Sequence, residues 1–217
     1  MTLQVHDHLL TLLPEKALIL DSTLILADTH FGKSASFRAR GIPVPEGDTA
    51  QDTGRILVLL DRHRPERLVI AGDFLHAPEG KSPAVLESLA HFFSRLECET
   101  HLVLGNHDHR AGPLPRDWPV TVHESLALGA LTIVHDPAEA PGDEFSICGH
   151  LHPVARIKDG VNTGFRTPCF WLREMSLILP SFGTFTGGAI AHPADGERIF
   201  APLHDRVVEI PRELMPI

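Results

Sequence analysis

The sequence predicts an α/β chain folded as a four-layer α-β-β-α sandwich, two mixed sheets facing each other with helices outside. In the first half, short apolar runs alternate with helix-period segments, the pattern of strands and helices wound into one layered core. In the second half, helix patterns give way to short β-like runs punctuated by Gly and Pro. Polar clusters of Asp, Asn and His stand at the ends of these runs, not inside them.

Leu24–Ala27 reads as a strand ending at Asp28. The segment 48–63 places Ile56, Leu57, Leu59 and Leu60 in a helix-compatible pattern, and Arg67–Ala71 is the next strand, stopping before Gly72 and Asp73. A second helix is expected from about Ser82 to Leu96, because Ser82-Pro83 offers an N-cap followed by proline at the first helical position. His101–Leu104 is a third strand, stopping at Gly105. The β-like runs that follow are Val120–Val122, Leu131–Val134, Phe145–Cys148, Val154–Lys158, Phe170–Leu172, Met175–Leu179 and Val207–Ile210. No fixed-period repeat and no linker divides the chain, so residues 1–217 are expected to form a single domain.

Composition narrows the function. A chain of 217 residues should bury roughly 70–75% of its unfolded surface, enough for a substantial core. Its 19 Lys+Arg against 28 Asp+Glu leave a net charge of −9. The 17 Gly and 18 Pro exceed the usual share but stay below that of a low-complexity chain, so the fold should be ordered and loop-rich. No apolar stretch approaches the ~18–20 residues of a membrane span. The N-terminus lacks a basic segment followed by a long apolar one, which argues against a signal peptide and for a cytoplasmic protein without membrane contact. Cys98, Cys148 and Cys169 are too few and too scattered for a disulfide framework or a thiolate zinc site, and read as small buried hydrophobes.

The 15 histidines are a different matter. Asp28-Thr29-His30, Gly72-Asp73, Gly105-Asn106-His107-Asp108, His135 and Gly149-His150-Leu151-His152 each follow an expected strand. Loops after parallel strands converge on one sheet edge, where ligands distant in sequence meet. Carboxylate, amide oxygen and imidazole together suit Mn, Fe or Zn better than Ca or Mg. In extended chain, side chains two apart point the same way, so Asp28 with His30, and His150 with His152, could each grip one ion. The glycines before Asp73, Asn106 and His150 would let the backbone turn and come close to it.

The order Asp-x-His, Gly-Asp, Gly-Asn-His-Asp, His, Gly-His-x-His resembles the calcineurin-like metallophosphoesterase superfamily across residues 28 to 152. The resemblance implies a single domain of that type and a centre of two divalent ions, Mn2+ foremost, with Fe or Zn possible. Asp28, His30 and His152 would hold one ion, Asn106, His135 and His150 the other, and Asp73 would bridge them. His123 is the competitor of His135, which is followed by Asp136-Pro137 where relatives often carry another pair. A narrower resemblance, to the bacterial family of ligase-associated DNA damage response endonucleases, rests on segments outside the metal motifs. These are His30-Phe31-Gly32-Lys33, Phe37-Arg38-Ala39-Arg40-Gly41-Ile42-Pro43, Gly72-Asp73-Phe74-Leu75-His76 and Pro180-Ser181-Phe182-Gly183-Thr184-Phe185-Thr186-Gly187-Gly188. It implies DNA as substrate, single-stranded or structured and not sequence-specific, a role in repair, and a DNA ligase and a DEXH-box helicase as partners.

Two divalent ions close together generate a nucleophile from water and neutralise phosphate oxygens during in-line displacement. His107 would stabilise the transition state or protonate the leaving oxygen, with Asp108 fixing its tautomer and orientation. A metal-loaded mouth attracts phosphate despite the acidic chain. Lys33, Arg38 and Arg40 could add contacts to a DNA backbone without reading sequence. His76 and His109 lie near enough to reach a phosphate. Phe182 and Phe185 are expected to pack under a Gly-rich loop, with base stacking as the alternative.

Two other functions compete with the nuclease. One is hydrolysis of small nucleotides or of a nucleotide-linked lipid pyrophosphate. The lipid form needs an apolar lid, for which the short, Pro-rich segment 112–119 offers little. The other is a metal-stabilised interaction module without catalysis, against which the presence of His107 and Asp108 beside every ligand type argues.

Overall fold

The computed structural model describes residues 1–158 and 164–215. The chain opens with strands β1 (Thr2–Val5), β2 (His8–Leu12), β3 (Leu18–Leu20) and β4 (Thr23–Leu26), followed by helices α1 (Lys33–Ala39) and α2 (Asp48–His63). Strand β5 (Arg67–Ala71), helix α3 (Pro83–Ser94), strand β6 (Glu99–Val103), helix α4 (Asn106–Ala111) and strand β7 (Thr121–His123) complete the first half. Strands β1 to β7 lie in chain order in one sheet, antiparallel from β1 to β4 and parallel from β4 to β7.

The second half supplies β8 (Leu126–Leu128), β9 (Leu131–Ile133), β10 (Phe145–Cys148), β11 (Pro153–Lys158), β12 (Gly164–Pro168), β13 (Phe170–Leu172), β14 (Ser176–Ile178), β15 (Ala189–Ile190), β16 (Arg198–Leu203) and β17 (Arg206–Ile210). Its large sheet runs in the order β17-β16-β13-β14-β10-β9-β8, parallel only at β9-β10-β14, and β12-β11-β15 form a small third sheet. Two mixed sheets thus face each other, the expected architecture.

The apolar runs of the first sheet are buried on both faces, which explains why they lack alternation. Ile25, Ala27, Val69, Ala71 and Val103 point to the other sheet and meet Ile133, Phe145, Ile147, Leu177 and Phe200. Leu24, Leu26, Leu68, Ile70 and Leu102 point outward, under Ile56 and Leu59 of α2 and Leu89, Phe92 and Phe93 of α3. Helix α3 begins as its sequence requires, Ser82 Oγ accepting the Val85 N–H at 3.4 Å with Pro83 at the first helical position. On the outside of the second sheet the cover is largely β. Ala155, Ile157 and Ala191 of the small sheet and its surroundings pack on Ile199, Ala201 and Ile210. Among the described residues no helix is long and apolar enough to cross a membrane.

Strands β4, β5 and β6 of one sheet and β9 and β10 of the other all end at the same edge. The next residues in the chain are those that carry the polar clusters.

Candidate metal centre

Asp28, His30, Asp73 and His152 offer donor atoms that all lie within 4.8 Å of one another. Asp73 stands between two sets of donors. Its Oδ2 is 3.6 Å from His30 Nε2, and its Oδ1 is 3.4 Å from His135 Nε2. On the first side, His152 Nε2 lies 3.2 Å from both Asp28 Oδ1 and His30 Nε2. On the second, His150 Nδ1 lies 3.2 Å from His135 Nε2 and 3.1 Å from Asn106 Oδ1. Asp28, His30, Asp73 and His135 are buried, whereas Asn106, His150 and His152 are partly open.

Each of these imidazoles is held from behind by its other nitrogen. His135 Nδ1–H donates to Ala71 O at 3.1 Å, and His152 Nδ1–H to Gly187 O at 3.1 Å. His150 Nε2 faces Asp136 Oδ2 at 3.5 Å, and His30 Nδ1 faces His76 Nδ1 at 3.3 Å. A carbonyl can only accept, so the distal nitrogens of His135 and His152 carry the proton, and their nitrogens toward the cluster are bare when the ring is neutral. Bare nitrogens of His135 and His150 then face each other, with an amide oxygen beside them. This convergence of lone pairs suits a cation, and distal anchoring is how proteins orient metal-ligating histidines. The residues present fit a metal centre.

The electrostatics agree. Burial pushes His30 down to about 2, the Asp73 charge only partly opposing it, so this ring is neutral and free to donate its lone pair. Burial would raise Asp73, yet the hydrogen bond and charge of His135, the His30 ring and the His107 N–H hold it well below the usual carboxylate range. Burial likewise lowers His135, but Asp73 and Asp28 overcome it and raise the ring to about 9, a measure of how strongly the carboxylates draw positive charge.

The backbone here is not extended. Asp28 (φ 56°), His30 (φ 46°), Asp73 (φ 51°), His150 (φ 67°) and His152 (φ 45°) all occupy the left-handed region, which costs non-glycine residues roughly 1 kcal/mol or more each. Side-chain alternation along a strand, the expectation from Asp-x-His and His-x-His, is therefore incorrect. Tight left-handed turns at the strand ends bring the pairs together. Gly72 turns through φ 86°, and a Cβ there would overlap the His135 ring. Gly105 is extended, and glycine is required for clearance instead: a Cβ would overlap the Asp73 carboxylate and amide.

His107 and Asp108 divide differently from expectation. His107 N–H donates to Asp73 Oδ1 at 2.9 Å, its Nδ1–H donates to His76 O at 2.6 Å, and its ring stands edge-on to His30 with centroids 4.8 Å apart. Its tautomer is set by the His76 carbonyl, not by Asp108. The Asp108 carboxylate is buried behind the site and accepts N–H groups of Phe74 (3.1 Å), Leu75 (2.8 Å) and Gly105 (3.0 Å). As the third residue of α4 it turns back toward its own helix start and so ties the Asp73 loop to the Asn106 loop. Burial holds its carboxyl above the usual carboxylate range, those N–H groups offsetting it only in part. Asp108→Ala strands these donors and is expected to cost about 3 kcal/mol, lowering the melting temperature by about 6–12 °C in a thermal melt.

His123 lies elsewhere, its Nε2 3.0 Å from His101 Nδ1 across β6 and β7, so His135 alone of the two joins the cluster. Lys33 opens α1 half-buried, where burial lowers its ammonium and the charges of Asp73 and Asp28 partly restore it. Arg38 lies 3.2 Å from Glu46 and donates to Pro45 O at 3.0 Å. Arg40 is exposed, 3.5 Å from Glu79.

Sequence reasoning missed Asp136 behind His150 and underrated His76, whose ring stacks on His107 at 4.7 Å and 20°. It also missed a clamp on the 181–187 segment. Asp52 accepts the Thr184 N–H at 2.9 Å, Arg55 donates to Phe182 O at 2.9 Å, and Lys16 donates to Ser181 O at 2.6 Å, while Ser181 Oγ donates to Asp28 O at 2.9 Å.

Carboxylates, an amide and anchored imidazoles at the strand ends of a two-sheet sandwich define a metal-dependent phosphodiesterase. The model of the calcineurin-like phosphoesterase family matches residues 22–153, and the chain belongs to that family. Among solved structures it is similar to the nuclease MPE of Pseudomonas putida, with 33% identity and a TM-score of 0.83 over 97% of this chain and 99% of that one. Further off is Yfce, a phosphoesterase from E. coli, at 19% identity and a TM-score of 0.44 over 87% of this chain and 97% of that one. A comparison with curated protein sequences finds no significant match.

Proposed function

We propose that the chain is a two-metal phosphodiesterase that cuts DNA internally, with Mn2+ as the foremost ion and Fe or Zn as alternatives. The observation that carries the reading is Asp73, whose two oxygens face different histidines at 3.6 and 3.4 Å. On this reading Asp28, His30 and His152 hold one ion, Asn106, His135 and His150 the other, and Asp73 is shared. Bound there, the pair supplies an activated water and neutralises phosphate oxygens. Lys33 binds a phosphate oxygen at the mouth. His107, with Nδ1–H engaged by His76 O, turns Nε2 to the substrate and, when the ring carries a second proton there as the imidazolium, passes that Nε2 proton to the leaving oxygen. The likeness to a nuclease at 33% identity over nearly the whole chain supports DNA as the substrate. A role in repair beside a DNA ligase and a DEXH-box helicase follows from the motif resemblance, and a cytoplasmic location agrees with the free thiols of Cys98, Cys148 and Cys169.

Circular single-stranded DNA tests this directly. With Mn2+ the circles should open and then fragment, stop doing so under a chelator, and resume when Mn2+ is restored. Intact circles at saturating enzyme, beside rapid turnover of a nucleoside diphosphate derivative, would shift the reading to a small-nucleotide hydrolase.

A further inference from the structure

Phe182 and Phe185 share one glycine-rich segment but have opposite fates. Phe182 is fully buried, with the Arg55 guanidinium 4.1 Å over its ring. Phe185 is 36% exposed although the segment around it is tied down at both ends. Ser181 anchors to Asp28 O, Thr184 to Asp52, and Gly187 O receives the Nδ1–H of His152. An apolar ring is thus held open to solvent at the rim of the metal cluster. Its neighbour is Phe37 of α1, edge-to-face with centroids 5.5 Å apart. Phe37 in turn is 6.2 Å from His76, which stacks on His107. Aromatic rings therefore lead without a gap from the cluster to the surface.

Helix α1 adds charge to the same line. Lys33 and Phe37 of α1 and Arg40, the residue that caps its end, are spaced i, i+4, i+7; Arg40 is exposed and lies 3.5 Å from Glu79, whereas Arg38 is turned to Glu46. Basic side chains flanking an aromatic platform are what unpaired nucleic acid requires: charge for the backbone and a π-face for the base, without sequence preference. A paired base keeps both faces inside the duplex stack and cannot use such a platform.

We infer that Phe185 and Phe37 form a stacking subsite for an unpaired nucleobase beside the phosphodiester that is cut, which makes Phe185 a determinant of single-strand specificity. The inference rests on the nuclease reading above. It is tested with Phe185→Ala and the exposed-site rescue Phe185→Trp, measuring kcat/KM with Mn2+ on a single-stranded oligothymidylate and on methyl p-nitrophenyl phosphate, a diester with no base. The ratio of the two values should fall roughly tenfold in Phe185→Ala and recover in Phe185→Trp. An unchanged ratio in an enzyme that cuts the oligonucleotide overturns the subsite alone, as does a fallen ratio that tryptophan does not restore. A wild-type protein that hydrolyses the base-free diester but leaves the oligonucleotide intact overturns the nuclease reading, and the subsite with it.

Discussion

Asp73→Asn is expected to lower kcat/KM at least about 10³-fold, a loss of some 4 kcal/mol of transition-state stabilisation. The amide keeps the shape of the side chain but loses its charge and one acceptor oxygen. Since Oδ1 faces His135 and receives the His107 N–H while Oδ2 faces His30, an NH2 group in either place opposes a ring nitrogen or a donor. Both donor sets are weakened together, so metal affinity should fall along with rate. Steady-state kinetics across a range of Mn2+ concentrations checks this. A variant that regains wild-type turnover at high Mn2+ would show that Asp73 only assists binding, and one that never loses it would remove Asp73 from the centre.

His107→Gln should slow the reaction about 10²- to 10³-fold on DNA with the ions still bound, because general acid catalysis contributes on this scale. The leaving oxygen of DNA is an alkoxide that needs a proton, whereas p-nitrophenolate leaves without one. The loss on methyl p-nitrophenyl phosphate should therefore stay under about tenfold. Equal losses on the two substrates would mean that the His107 ring serves to hold the site together through its hydrogen bond to His76 O, and not the leaving group.

The donor series was legible because every member sits where an apolar run stops, and a parallel strand delivers its C-terminal residue to the sheet edge. Helix α2 and strands β5, β10 and β13 were legible for the same reason, their patterns being clean and their stops marked by Gly, Pro or a charge. The N-terminal hairpins were not. His6 (φ 51°) and Asp21 (φ 49°) turn the chain in the left-handed region without the glycine that normally announces such a turn. Helix α4 hid because its polar residues, read as ligands and acid, also form its first turn. Asp108 misled for that reason: the motif put it next to His107, but a residue at the third helical position reaches back to the preceding amides. Asp52 gave no local signal, since its partner Thr184 lies on the far side of the chain sequence and the contact exists only once both sheets are packed. Arg38 and Arg40 look alike in sequence, and only the fold shows that they face different glutamates, Glu46 and Glu79.

The claim on which the chemistry depends is that Asp73 joins two neighbouring cation sites in one chain. Metal analysis of protein reconstituted with Mn2+ and freed of loosely held ions measures it most directly. Two ions per chain in the wild type, falling to one or none in Asp73→Asn, is the predicted result. A single ion in the wild type, retained when Asp73 is replaced, would contradict it.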